Sequence, residues 1–259
     1  MPRLVIMGGG RMGEALAVGL AAAGRSPEVV EPSAARRRVL ADSRPDLSVV
    51  AKVSGADEAV IAVKPPDVED ACRSAVAGGA RRVLSIAAGV TLTRLGGHCG
   101  AGVVVLRGMP NTPALVGAGV AALAAGPDAS ETDLEWGEDV LGAVGQVVRL
   151  PEPLLDAVTG LSGSGPAYLF LVVEAMTDAG VAMGLTREVS QRLAVGTLVG
   201  SARLLEATGE APEALRAGVT SPGGTTAAGL RALEDRAVRA AFMAAVAAAT
   251  ERSRQLGAG

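Results

Sequence analysis

The chain has 259 residues, 49% hydrophobic but only 2% aromatic, with a net charge of −3, one histidine and two cysteines. At roughly 100–200 residues per domain, this length gives one or two domains with cores built from Ala, Val and Leu. The charge argues against nucleic acid and other polyanionic partners, and no apolar run approaches the roughly 20 residues that span a bilayer. Cys72, Cys99 and His98 are too few for a disulfide framework or a metal site, so all three read as structural and no metal is expected. With no charged-then-apolar leader pattern at the N-terminus, a cytoplasmic protein is expected.

Residues 4–7 (LVIM) read as a buried strand, and Met12, Leu16, Ala17 and Leu20 fall at helical spacing behind it. Gly8, Gly10 and Gly13 therefore occupy a strand-to-helix turn in GxGxxG spacing. Gly8 permits the tight turn, Gly10 lacks the Cβ that would block a pyrophosphate, and Gly13 lets helix and strand pack closely. The helix N-terminus offers unpaired N–H groups to phosphates. A strand over 28–30 follows, then Glu31, Pro32 and Ser33 before a helix over 34–41. An acid about 20 residues past the glycines commonly binds a ribose 2′-hydroxyl, which suits Glu31. Ser33 as an N-cap, with Arg36 or Arg37, suits a 2′-phosphate instead. Both readings stay open.

Strands over 47–51 and 59–63 come next, the second running into Val63, Lys64, Pro65 and Pro66. Lys64 is either a ligand-edge cation or an ordinary loop lysine. Another strand over 82–86 precedes Ala87, Ala88 and Gly89, and one over 103–106 precedes a constrained loop, Arg107 to Pro113. A last α/β unit comprises a strand over 120–124, a helix opening at Ser130 with Asp133 as capping partner, and a strand over 146–150; Pro151 and Pro153 then mark a boundary. Beyond it only helices are expected. One runs from Pro166 to about 183, one from a Thr186 cap to 205, and others over 211–217, 226–233 and 237–254. Residues 168–173 and 242–246 are apolar on more than one face, more than a domain of roughly 100 residues buries alone, so oligomerisation through this half is expected.

The missing residues bear on the reaction. Hydride reduction of a ketone needs an acid for the alkoxide, usually His, Lys or a Tyr/Lys pair. No His, Lys or Cys follows Cys99, and Tyr168 has Val172 where the Tyr/Lys arrangement needs lysine. A protonated imine needs no such acid, so C=N chemistry is favoured. Residues 161–166 fail the GxSxG pattern of a nucleophile elbow. Residues 220–226 open a helix with N–H groups and hydroxyls, which suits a carboxylate or an elaborate N-cap.

Six stretches together resemble the pyrroline-5-carboxylate reductase family over essentially the whole chain: residues 6–13, 62–65, 87–90, 109–114, 161–168 and 219–226. The resemblance implies an α/β fold, with a Rossmann-type dinucleotide-binding domain over 1–151 and an all-α dimerisation and substrate domain over 152–259. It implies reduction of 1-pyrroline-5-carboxylate to L-proline by a homodimer, or a higher assembly of dimers. NADPH is the expected cofactor, with NADH left open by Glu31, which stands where relatives usually carry Thr, Ser or Asn. Ala217 also replaces an Asp often seen there. Gly8, Gly9, Gly10, Arg11, Met12, Gly13, Ser33, Val63, Lys64, Pro65 and Ala88 are expected at the dinucleotide, together with Arg36 and Asn111. Ser221, Gly223, Gly224, Thr225 and Thr226 are expected at the substrate, Thr226 in the catalytic role, and Glu152 near the ring nitrogen.

Overall fold

A computed structural model describes residues 2–257. They form two compact units, one of residues up to 164 together with those from 247 on, the other of residues 165–246. No helix among the described residues is long and apolar enough to cross a membrane.

In the first unit β1 (Leu4–Met7), α1 (Arg11–Ala22), β2 (Glu28–Val30), α2 (Ala34–Ser43), β3 (Ser48–Val50) and β4 (Glu58–Ile61) follow in order. They are succeeded by α3 (Val68–Ala77), β5 (Arg82–Ser85), α4 (Leu92–Cys99), β6 (Val104–Met109), β7 (Gly119–Ala125), α5 (Glu131–Gly142), β8 (Gly145–Arg149) and the short α6 (Leu155–Val158). The eight strands form one sheet in the order β3-β2-β1-β4-β5-β6-β7-β8. The first six are parallel, and the order reverses between β1 and β4, where strand carboxyl ends open a ligand crevice.

Both faces of the sheet are covered, so β1 is buried along its whole length and its side chains alternate between two cores. Val5 and Met7 join Ala71, Cys72, Leu95 and Leu155 on one face, while Leu4 and Ile6 join Leu16, Leu20, Leu40 and Trp136 on the other. At the amino ends of the strands, buried Glu58 bridges Arg25 (2.7 Å) and Arg82 (3.0 Å), and Arg82 continues to Asp133 (2.7 Å).

The structure corrects the sequence reading at one loop and adds elements to it. Helices α3 and α4 were not anticipated, although Val68, Ala71, Cys72 and Ala75 carry the 3.6-residue period. Arg107, Gly108 and Met109 belong to β6, paired with β7, rather than to a loop. The last α/β unit is present as expected, with β7 and β8 parallel around α5; β7 runs antiparallel to β6, because only a 3₁₀ turn over Thr112–Val116 separates them and a parallel return needs a longer crossover.

The second unit holds α7 (Gly165–Ala182), α8 (Arg187–Thr208), α9 (Pro212–Gly218), α10 (Thr225–Glu234) and the first part of α11 (Val238–Gly257). Thr186 caps α8 by accepting from Val189 N–H at 3.3 Å. Among its residues only Pro166, Thr177, Ser190 and Ala194 are buried. Phe170 (62% exposed), Leu171 (64%), Met183 (82%) and Met243 (74%) face outward, so this unit has no core of its own within one chain.

Candidate active site

The crevice is built around the glycine turn. Gly8 adopts φ +108°, and a Cβ there would lie 2.8 Å from Ala62 O. A Cβ on Gly13 would collide with Gly8 O, so that glycine is what lets α1 cross the end of β1. Gly10 differs from both. It is extended (φ −68°, ψ −179°), and nothing lies within 4 Å of where its Cβ would be. It caps α1 without any side-chain acceptor, so no capping side chain occupies the first-turn N–H groups.

A cavity of about 550 Å³ lies beside the turn, lined by Gly8 and Gly10 from the turn, Glu31 and Pro32 after β2, and Val63 and Lys64 after β4. Its size suits a cofactor or substrate moiety. Lys52, Asp67 and Asp70 also line it. The open face at Gly10, the helix N-terminus and two lysines fit a dinucleotide's phosphates. Of the residues expected at the dinucleotide, Gly8, Gly10, Val63 and Lys64 are brought together here. Gly9, Arg11, Met12, Gly13, Ser33, Arg36, Pro65, Ala88 and Asn111 are not among the lining residues.

Glu31 is anchored rather than loose: Oε2 accepts from Gly9 N–H (3.0 Å) and Oε1 from Ser33 N–H (2.8 Å). The Ser33 hydroxyl accepts from Arg36 N–H (3.3 Å) and so caps α2. Arg36 itself donates to Gly9 O (2.6 Å) and to Glu14 (2.6 Å), and Arg37 donates to the carbonyls of Glu31 and Pro32. The basic cluster is thus largely engaged within the fold, and a carboxylate holds the rim where a ribose 2′ position is expected.

Two further expected residues serve the fold. Asn111 receives Val120 N–H (3.0 Å) and donates to Ser162 O (3.1 Å), fixing the loop after β6. Glu152, which the resemblance gives to the substrate, has Oε1 committed to Leu92 N–H (2.7 Å) and to Arg107 (3.0 Å). Arg107, read from the sequence as the start of a constrained loop, lies within β6, and its pairing with Glu152 had no local signal. No group of three or more His, Cys, Asp or Glu among the described residues could hold a metal ion.

In the second unit, Ser221 to Gly224 form a tight turn, with Gly224 N–H donating to Ser221 O (3.0 Å) and Gly223 at φ +69°. Gly224 caps α10 with no side-chain acceptor, so the N–H groups of Thr225 and Thr226 stand in an uncapped first turn. That arrangement can hold a carboxylate.

Comparison with known proteins adds names to this geometry. Residues 152–256 match a family model described as pyrroline-5-carboxylate reductase dimerisation, and residues 3–89 match one described as NADP oxidoreductase, coenzyme F420-dependent. The chain is 46% identical to a pyrroline-5-carboxylate reductase of Mycobacterium leprae, covering 99% of this chain and 97% of that one. It is 44% identical to that of Synechocystis, over 98% of each. Among solved structures, a pyrroline-5-carboxylate reductase from Coxiella burnetii superposes with a TM-score of 0.91 at 32% identity, over 98% of each chain. A Plasmodium falciparum pyrroline carboxylate reductase with NADP bound gives 0.85 at 31%, covering 99% of this chain and 98% of that one.

Proposed function

The chain belongs to the pyrroline-5-carboxylate reductase family, and we propose that it reduces the C=N bond of 1-pyrroline-5-carboxylate to give L-proline. The observation that carries this for the chain's own residues is the uncapped Gly10 cradle opening on the cavity at the sheet's carboxyl edge. A bound reduced nicotinamide supplies the hydride.

The chain's part is binding and orientation. First-turn N–H groups of α1 would hold the pyrophosphate, with Gly8, Gly9, Gly10, Arg11, Met12 and Gly13 shaping the turn. Val63, Lys64, Pro65 and Ala88 would contact the rest of the dinucleotide. NADPH is the proposed donor, a reading favoured by the NADP-bound relative. The anchored Glu31 carboxylate admits NADH as well, because it can accept from a ribose 2′-hydroxyl.

The turn from Ser221 through Gly223 and Gly224 to Thr225 grips the substrate carboxylate with backbone N–H groups, and the Thr226 hydroxyl orients the ring nitrogen. The substrate ring enters already protonated on nitrogen. Hydride adds to C5, the π pair of the C=N bond moves to nitrogen, and a neutral secondary amine results with no proton donor required. Placement and fixed dipoles therefore supply most of the rate. The exposed apolar face of α7 and α8 supports assembly as a homodimer.

The test is oxidation of NADPH, and separately of NADH, by purified protein with the cyclic imine, with L-proline as product. Thr226→Ala should lose about 10- to 100-fold in kcat, the size of one hydrogen bond to a charged group, while cofactor Kd stays unchanged. Unchanged turnover would remove Thr226 from its role.

A further inference from the structure

The segment from Ile86 to Thr91 leaves the carboxyl end of β5 beside the cavity-lining end of β4, with Ile86 N–H still donating to Ile61 O (3.0 Å). It carries Ala88. At its entry, Ala87 N–H donates to the buried Ser85 hydroxyl (3.3 Å). At its crest, Gly89 (φ +76°) faces the end of α11, where a Cβ would sit at ordinary contact distance, 3.4 Å, from Leu256 O. At its exit the chain enters α4, whose N-terminus Thr91 already caps through Arg94 N–H (3.3 Å).

A second cap arrives from far along the chain. Glu152 Oε1, 60 residues on, accepts from Leu92 N–H (2.7 Å), the first helical donor of α4. The same oxygen accepts from Arg107, whose side chain is 6% exposed and which stands in register with Ser85 in the sheet. Four residues after Glu152, Asp156 accepts from the Ser253 hydroxyl (2.6 Å) on α11, next to the turn that meets Gly89. Hydrogen bonds thus tie Glu152 to the exit of the loop and Asp156 to α11, whose end passes beside Gly89.

A helix already capped locally does not need a buried arginine and a distant carboxylate to form. What these bonds fix is the position of the loop that leaves the carboxyl end of β5. We propose that Glu152 is a positioning residue, which sets the Ala87–Val90 loop for the dinucleotide through Leu92 and Arg107 instead of touching the substrate ring. This rests on the proposed placement of Ala88 at the dinucleotide.

The test titrates NADPH into purified protein without substrate, following fluorescence, for Glu152→Ala, Glu152→Gln and Ala88→Leu, with thermal melts to establish folding. Glu152→Ala should raise NADPH Kd about 10-fold, the size of one lost charge-assisted hydrogen bond. Glu152→Gln, which keeps an acceptor for Leu92 N–H, should recover most of that loss. The imine KM at saturating NADPH should stay unchanged in both. If Glu152→Ala does not fold, Glu152→Asp, whose shorter side chain withdraws the acceptor from Leu92 N–H, decides in its place, and a raised Kd at constant imine KM supports the clamp. Unchanged Kd in Glu152→Ala, or in Glu152→Asp where it stands in, overturns it whether or not imine KM rises. Ala88→Leu separates the two levels. Unchanged Kd there refutes the loop's placement at the dinucleotide, whereas a raised Kd there with none in the Glu152 variants refutes only the clamp.

Discussion

Gly10 and Gly8 sit two residues apart in one turn, yet alanine should damage them in opposite ways. At Gly10 the backbone is extended and the Cβ position is empty to 4 Å. Alanine there gains about 0.4–1 kcal/mol by restricting the unfolded chain. It loses a comparable amount because alanine is a poorer N-cap than glycine. Stability should therefore change by less than about 0.5 kcal/mol, the balance of those two terms. On the proposed placement, the new methyl would stand where the pyrophosphate approaches the α1 N–H groups. Losing one or two charge-assisted hydrogen bonds costs about 2–4 kcal/mol, or roughly 30- to 1,000-fold in cofactor Kd. At Gly8, alanine must adopt φ +108° with its methyl 2.8 Å from Ala62 O. Strain and overlap together cost about 2–5 kcal/mol of stability, a fall in Tm of roughly 5–15 °C. Apo thermal unfolding and NADPH fluorescence titration on the two variants make the comparison. Wild-type NADPH affinity in Gly10→Ala would refute the pyrophosphate's position, and a Tm loss equal to that of Gly8→Ala would refute the open cradle.

For cofactor choice, Glu31→Ser should improve kcat/KM for NADPH relative to NADH by about 10-fold, since it would remove a carboxylate from the proposed neighbourhood of the 2′-phosphate; Arg36→Ala, at a guanidinium already bound to Gly9 O and Glu14, should change that ratio less. Steady-state kinetics with both cofactors reads each change. Burial opposes the charge of Asp133, but its Ser130 hydrogen bonds and Arg82 outweigh that and hold its carboxyl below the usual range. Its contribution is therefore full above the unfolded pKa near about 4 and is lost as pH falls through the lower folded value. Asp133→Asn should lower Tm at neutral pH and flatten the acid limb of a Tm-against-pH curve. Phe170→Glu, at a position 62% exposed on α7, should dissociate the assembly in sedimentation velocity while leaving the sheet unit's NADPH Kd unchanged.

Local chemistry was legible in the sequence wherever the partner is near in the chain. The glycine turn, Ser33 and Thr186 as caps, and the reciprocal Ser130–Asp133 capping box all follow from residues within a few positions of one another. The helical half read as apolar beyond its own capacity to bury, and the outward-facing Phe170 and Met243 agree. Helix α4 was obscure because Gly96 and Gly97 dilute its period, and the reversal of β7 depends on the length of a connection rather than on any residue type. Least legible were bonds across long separations. Arg36 is engaged by Glu14, 22 residues away, and Glu152 by partners 45 and 60 residues away. A motif identifies such residues without revealing what their side chains already hold.

The central claim is that this fold reduces a pre-protonated C=N bond by placement alone, in a helical half whose sequence contains no His, Lys or Cys. The most direct measurement is NADPH oxidation by purified protein with 1-pyrroline-5-carboxylate and, in parallel, with an open-chain 2-oxo acid of similar size. Rapid conversion of the imine to L-proline with no turnover of the ketone is the predicted result; reduction of the ketone with an inert imine would contradict it.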